Sequence, residues 1–558
     1  MFSKAFKRII SVTMIFSMIV TITACSDKEE KSSKKSTKNS KNVQPCDYEQ
    51  SLFDTSKVHN IDITLSDDDW SDLKANPLNK TKYEADITID GETVNKVSFS
   101  TKGNTSLSFV ASSDSDRYSF KVNFGKYVEG QTYQGLNKLN LNNIYADATY
   151  MKDYICYQIF REASVNAPLV SYVWLTVNGN EQGLYIAVED ISESYLNRTE
   201  DGEGELYKPE TDNLANMNEK KNTNNKDNNG NNNDNNRGDF NPGNMPQGGF
   251  QPGNMPEMPE GGFQPGNMPE MPEGFDPGNM PERPEGDFDP GEMPNMPGGG
   301  FGGNANGADL AYSDDKIESY SDIFENAVTD VTDEDNSQVI AALKGLSEGK
   351  NLEDYIDVDE VISYFVAHNF VLNYDSYTGN MLHNYFLYLN DGKLSMLPWD
   401  YNLSFGGFEA NSDTTSLVNT GIDTPLSGSS EESRPMWQWI SSNEEYLNKY
   451  HEVYNKLITD YFESGRFTEE IEAVYNMIKP YVEKDSTAFY SADEFEKAYD
   501  TLKNIISLRA SSIRKQLNNE LSTKTDEQDS SQKVDVSAYK ASDMGTHGGG
   551  KGQDFKKN

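Results

Sequence analysis

Apolar and polar residues alternate along Ile61-Asp62-Ile63-Thr64-Leu65, along Ala85-Asp86-Ile87-Thr88-Ile89 and along Arg117 to Phe124. A period of two puts the apolar side chains on one face, so these stretches predict half-buried strands. Asp90-Gly91 follows the second as a turn. Ser66 is placed to cap a short helix through Asp67, Asp68, Asp69 and Trp70. Val97 to Phe99 leads into the polar turn Lys102-Gly103-Asn104-Thr105-Ser106. Leu139 to Asn143 opens the next unit. Met151, Ile155, Ile159 and Phe160 then recur on one helical face, and Pro168 ends that helix. Cys156 lies within it and reads as inert core. Val170 to Val177 and Gly183 to Val188 flank Asn178-Gly179, the residue pair that a tight hairpin prefers.

From Leu310 onward the period becomes helical. The spacing predicts helices over Ser319–Val328, Ser337–Leu346, Val358–Leu372, Trp437–Ile440, Tyr446–Phe462, Thr468–Val482 and Ala492–Leu517. His368 falls on the third, in a packing or hydrogen-bonding role. Glu409 to Arg434 is polar and reads as a flexible loop. Strands first and helices second argue an α+β protein with two lobes.

Composition divides the chain further. It has 558 residues, of which 35% are hydrophobic, and a formal net charge of -41. Such a surface repels phosphate backbones and argues against nucleic acid as a partner. Three cysteines, Cys25, Cys46 and Cys156, make no disulfide framework. Residues 1–25 carry a basic start (Lys4, Lys7, Arg8), an apolar run and the end Ile22-Thr23-Ala24-Cys25. This is a lipoprotein signal peptide in pattern, with Cys25 as the lipidated residue. It predicts an extracytoplasmic protein held to the bacterial cell membrane by acyl chains. Residues 26–57 read as a flexible tether, 58–212 as the strand-rich lobe and 309–521 as the helical lobe. Residues 213–308 hold an Asn-rich run, then Phe-x-Pro-Gly-Asn-Met-Pro repeats from Phe240, with a variant at Phe288. Pro and Gly at that density build no core, so a disordered insertion with its ends close together is expected. Residues 522–558 read as a polar, disordered tail.

The densest chemistry lies in Asn373–Gly406. Asn373, Asp375, Asn380 and Asn384 precede the apolar run Tyr385 to Leu389. Asn390-Asp391-Gly392-Lys393 is a hairpin turn, and a second run from Leu394 to Leu397 ends at Pro398-Trp399-Asp400-Tyr401-Asn402. Antiparallel pairing returns the chain to its start, which brings Asp375 and Asp400 near one another. Two carboxylates with amide oxygens suit a hard divalent cation, Mg²⁺ above all. They equally suit one acid acting as base while the other holds metal. Turn formation alone accounts for any one of these residues. His383 lies close by, with no role assigned.

This stretch resembles the CotH kinase family, which is named for a spore-coat protein and built on an atypical protein-kinase-like fold. The resemblance rests on Asn373-Tyr374-Asp375, on Asn384-Tyr385-Phe386-Leu387-Tyr388, on Pro398-Trp399-Asp400-Tyr401-Asn402 and on Phe405-Gly406. It runs from about His59 to about Leu517 with one large insertion. It implies a nucleotide between two lobes, with ATP and Mg²⁺ as cofactors and phosphoryl transfer to Ser or Thr of an envelope, coat or secreted protein. Asp375 would take the acceptor side, and Asp400 would hold Mg²⁺ with Asn380 or Asn384 as a second ligand. Asn402 stands where many relatives carry an acid, which removes one carboxylate of charge compensation. The resemblance also assigns phosphate-side roles to Lys102, Lys121 and Lys208, with Glu189 as an ion-pair partner for such a lysine. A non-catalytic, surface-anchored binding module and a nucleotidyl-transfer enzyme are the other classes compatible with these residues.

Overall fold

The computed structural model describes residues 46–211, 306–408 and 413–545. The expected signal peptide with Cys25, most of the expected tether, the repeat segment and the last residues lie outside that range. The described residues belong to one compact unit, sheet-rich in its first part and helical in its second.

Seven strands close into a barrel. They are β1 (Val58–Thr64), β2 (Tyr83–Ile89), β3 (Glu92–Lys102), β4 (Ser119–Asn123), β5 (Lys138–Asn142), β6 (Val170–Val177) and β7 (Asn180–Glu189). Their order is β1-β2-β3-β4-β5-β7-β6. Parallel pairing of β1 with β6, in the register Ile61↔Leu175, shuts the ring. Closure leaves no open sheet edge. Alternation assigns Ile61, Ile87, Phe99, Phe120, Val122, Leu139, Val173 and Tyr185 to the barrel core.

The outer face of the barrel carries two chemistries. On β6 and β7 it is apolar: Val170, Tyr172, Trp174, Ile186 and Val188 join a second core. On β3, β4 and β5 it is polar. Register pairs Ser100 with Lys121, and Lys121 with Asn140. Lys102 and Asn142 lie two residues along from Ser100 and Asn140, so they share that face.

The second core fills the helical part. It includes α1 (Lys152–Glu162), α2 (Val358–Val371), α3 (Pro435–Ser441), α4 (Glu444–Leu457), α5 (Arg466–Lys484) and α6 (Ala492–Leu517). Helix α2 packs on α1, on α4 and on the last strand of the site hairpin. Its face from Val361 to Val371 is almost wholly buried, which explains its high apolar content. A capping box of Ser491 and Glu494 opens α6. A π-helical turn, Ile458–Glu463, continues α4.

Four expectations need correction. The strand Glu205–Tyr207 (β8) does not belong with the barrel. It pairs with Tyr385–Asn390 (β9), which pairs with Lys393–Pro398 (β10), so a boundary at residue 212 cuts through a sheet. The helix expected at Ser319–Val328 is one turn, Ser321–Phe324, because the chain then runs back along β8, with Val328 N–H donating to Leu206 O at 2.8 Å. Residues 413–434 are packed, not loose. Val418, Asn419 and Ile422 are fully buried, and the buried Arg434 guanidinium donates to the carbonyls of Tyr377 and Gly379.

The fourth concerns both ends. Residues 46–57 pack on the barrel, burying Tyr48, Leu52 and Phe53. Residues 522–545 form a strap over the helices, burying Val536, Ala541 and Met544. Sparse apolar residues hold this polar strap, and the Asn419 side chain bonds both N–H and C=O of Val534, each at 2.9 Å.

Candidate active site

The site lies where the polar outer face of the barrel meets the β9–β10 hairpin. Lys393 pairs with Asn390, leaving Asp391-Gly392 as a two-residue turn. Both turn residues have positive φ, 47° and 78°, as a type I′ turn requires. Asn384 immediately precedes β9 and Asp400 closely follows β10, so both lie at the open end of the hairpin, opposite the turn.

Asn373 ties the two ends together. Its Oδ1 accepts the Asp375 N–H at 3.3 Å, and its Nδ2 donates to Asp400 O at 3.3 Å. It is fully buried. Asn384 Nδ2 donates to Asp375 O at 2.8 Å and to Asp375 Oδ2 at 3.2 Å. Asp375, Asp400 and Asn384 are therefore gathered as the hairpin argument requires. Asn380 is not among them. It is exposed and lies against Gly428, where a Cβ would meet the Asn380 side-chain amide. Asn402 Nδ2 reaches the Tyr145 carbonyl at 3.4 Å.

The lysines come from both directions. Lys102 ends β3 and donates to Asn142 Oδ1 at 2.6 Å, with Nζ over the Trp399 ring at 5.8 Å. Lys208 follows β8, bonds Glu210, and sits over the Phe386 ring at 6.0 Å. Phe386 and Trp399 meet edge to face, so both cations rest on one aromatic pair. Lys121 pairs with Asp190 Oδ2 at 2.7 Å, and Asn140 donates to the same oxygen at 3.0 Å.

Glu189 has other partners. It is fully buried and held by Arg198 at 2.7 Å, by the Tyr48 hydroxyl at 2.7 Å and by the Leu169 N–H at 3.0 Å. Strand parity explains this. Glu189 pairs with Leu139, an inward residue, so it faces the barrel interior. Asp190, one residue on, turns to the lysine face and takes the partnership expected of Glu189.

Of two further groups, His383 has no role assigned from the sequence and Asp153 escaped the sequence reading. His383 Nε2 lies 2.7 Å from Asp375 Oδ1. Burial opposes its cation, but the Asp375 carboxylate outweighs burial and raises its pKa above the ordinary value. Asp153, in the first turn of α1, accepts the Tyr401 N–H at 2.9 Å and is buried. Burial raises the pKa of Asp153 and of Asp400, and each carboxylate feels other acids: Asp400 acts on Asp153, and Asp375 on Asp400. Lys102, Lys208 and His383 pull Asp400 back toward ionisation. Burial likewise lowers the pKa of Lys102, opposed by Asp400. His368 is structural: its ring nitrogens meet the hydroxyls of Tyr401 and Thr378, each at 2.8 Å, and burial pulls its pKa down to about 3.

The donor set fits Mg²⁺ in one respect. Among the described residues, no three His, Cys, Asp or Glu side chains form a cage that could hold a metal ion. Mg²⁺ asks for less than a cage: one or two carboxylates, with water and phosphate oxygens completing six positions. Asp400 supplies a carboxylate whose pKa is raised by burial and by the neighbouring Asp375. Asn384 is the amide that contacts the Asp375 carboxylate.

A sequence model described as CotH kinase protein matches residues 99–241 and 295–513, more than half of the chain. Inner spore coat protein H of Bacillus subtilis (strain 168) is similar at 23% identity over 94 residues, or 17% of this chain. The match spans a quarter of that relative's length.

Proposed function

The chain belongs to the CotH kinase protein family, and from that premise we propose an atypical kinase of two-lobed, kinase-like build that transfers a phosphoryl group from ATP to Ser or Thr of an envelope, coat or secreted protein. One observation carries the reading. In a chain of net charge -41, Lys102 and Lys208 lie close enough to act on Asp400, with Asp375 beside it, and Lys121 lies close enough to act on Lys102. Ammonium groups there give a polyphosphate its counter-charges, and the paired acids beside them match metal-assisted phosphoryl transfer.

When bound, Mg²⁺ would neutralise charge on the phosphates. Asp400 and Asn384 are the residues to hold it. Lys102 and Lys121 present ammonium groups from the sheet face, and Lys208 presents one from β8. Asp375 orients the acceptor hydroxyl and takes its proton, with His383 hydrogen-bonded to the same carboxylate. The similarity to an inner spore coat protein favours a coat or envelope protein as acceptor. Lipidation at Cys25 would keep the domain on the outer face of the cell membrane. The Cys25→Ser variant should then lose its detergent partitioning, and a wild type found wholly in the medium would remove the anchor.

Incubation with γ-labelled and α-labelled ATP tests the reaction. Mg²⁺-dependent transfer of the γ-label alone supports phosphoryl transfer. Transfer of the α-label would make the protein a nucleotidyltransferase. No transfer and no thermal stabilisation by Mg-ATP would leave a binding module.

A further inference from the structure

We infer that Asp153 is a positioning residue of this site, joining Lys102 to the backbone at Asp400 through Asn142. Its consequence for nucleotide binding rests on the phosphoryl-transfer reading; its hydrogen bonds do not.

An acid in the first turn of a helix is ordinarily solvated. Asp153 is instead 6% exposed. Its Oδ1 accepts the Tyr401 N–H at 2.9 Å, and its Oδ2 accepts Asn142 Nδ2 at 3.4 Å. Asn142 Oδ1 in turn accepts Lys102 Nζ at 2.6 Å. Lysine only donates and a carboxylate only accepts, so the Asn142 amide has one workable orientation. The chain from Lys102 to Tyr401 is thus directional.

One turn along the same face of α1, the Tyr157 hydroxyl accepts the Asp400 N–H at 3.1 Å. Two successive peptide N–H groups, those of Asp400 and Tyr401, therefore end on α1. Asp400 needs such restraint. Its φ is +58°, a left-handed conformation that a residue with a side chain keeps only where neighbours fix it. Asn373 holds its carbonyl, while Tyr157 and Asp153 hold the N–H groups on either side of it. The lysine from the barrel and the acid from the hairpin are aligned by one helix.

Asp153→Asn tests this. Its amide nitrogen would face the Asn142 amide nitrogen, donor against donor, so either the Lys102 bond or the Tyr401 bond must fail. Asn142→Asp combined with Asp153→Asn restores the alternation of donors and acceptors with the charge moved one residue toward Lys102. Hydrogen exchange at the Asp400 and Tyr401 amides is read without nucleotide, and Mg²⁺-dependent ATP binding is read beside it. Exchange should quicken roughly tenfold in Asp153→Asn, as for a lost bond to a charged acceptor, with ATP affinity falling by a similar factor. The double variant should recover most of both. Should Asp153→Asn not fold, Tyr157→Phe removes the neighbouring acceptor without stranding a charge, and the Asp400 amide should exchange faster.

Unchanged exchange at both amides in folded Asp153→Asn and Tyr157→Phe would overturn the inference. So would a double variant no better than the single one, since Asp153 would then act through its charge on the bound cation. Wild type with protected amides but no Mg²⁺-dependent ATP binding would overturn the phosphoryl-transfer reading and leave the positioning role standing.

Discussion

His383 Nε2 lies 2.7 Å from Asp375 Oδ1, so the acid assigned to the acceptor hydroxyl already has a hydrogen-bonding partner. Asn384 occupies the other oxygen at 3.2 Å. The carboxylate is held by two side chains from the segment just before β9. Its orientation is therefore set by the hairpin and not by the substrate.

That contact predicts a pH dependence of stability. The folded pKa of His383 is raised above its unfolded value of about 6.5. The pair's contribution is then fully present below about pH 6.5 and lost as pH rises through the raised value. The melting temperature of His383→Gln should fall furthest below wild type near pH 6 and converge on it in alkaline buffer. A gap that is constant with pH would mean that the imidazole contributes packing only.

Glu189 and Asp190 are adjacent acids with opposite consequences. Glu189→Gln removes the counter-charge of the Arg198 guanidinium inside the barrel end and sets an amide nitrogen against an Arg198 N–H. Breaking a buried pair in this way costs about 3–5 kcal/mol, so thermal stability should drop while the lysine face is untouched. Asp190→Asn releases Lys121 and should weaken ATP binding with a smaller loss of stability. Calorimetry and nucleotide titration of the two variants separate the roles. An Asp190→Asn protein with unaltered nucleotide affinity would remove Lys121 from the phosphate side.

The paired acids separate binding from turnover. Asp400→Ala should weaken Mg²⁺-dependent nucleotide binding, because an anionic ligand of a doubly charged ion is gone. Asp375→Ala should keep binding and lose turnover by about 10² or more, the usual effect of removing a positioned base. If both variants retain transfer, the reaction occurs elsewhere on the molecule.

Features set by neighbouring residues were legible in the sequence. The Asp391-Gly392 and Asn178-Gly179 turns each dictate their own φ angles, and the hairpin that brings Asp375 toward Asp400 follows from the first. What escaped was non-local or depended on facing. Parallel closure of β1 on β6 joins strands more than a hundred residues apart, with no turn to announce it. The choice of Asp190 over Glu189 depends on strand parity, which β7 conceals because both of its faces are apolar. Asp153 looks like an ordinary first-turn acid until the Tyr401 N–H is seen on it. The strap offers too few apolar residues to show a period.

The repeat segment is bracketed by one residue. Glu210 N–H donates to Asp322 O at 3.0 Å, and Asp322 N–H donates to Asn306 O at 3.3 Å. The chain on either side of residues 212–305 is therefore side by side. Replacing residues 222–304 with a short Gly/Ser bridge should leave the melting temperature nearly unchanged, since shortening an already closed loop alters its entropy only slightly. Loss of cooperative unfolding in the shortened protein would show that the segment contributes to the core.

Truncation after Leu521 should do the opposite. It removes the strap that buries Val536, Ala541 and Met544, and each such side chain is worth roughly 1–3 kcal/mol of burial. It also strips the buried Asn419 side chain of both Val534 bonds, and its carbonyl of the Gln528 bond at 2.7 Å. The Asn419 side chain keeps its bonds to Thr415 O and Ser512 Oγ, so each lost bond costs about 0.5–1.5 kcal/mol. The loss reaches the site's surroundings, because Met544 O accepts the Ala148 N–H at 3.1 Å, just ahead of α1. The truncated protein should melt well below wild type, with exchange quickening first in residues 144–153 and 413–424. A truncation with native stability and unchanged exchange there would show that the strap lies on the helices without supporting them.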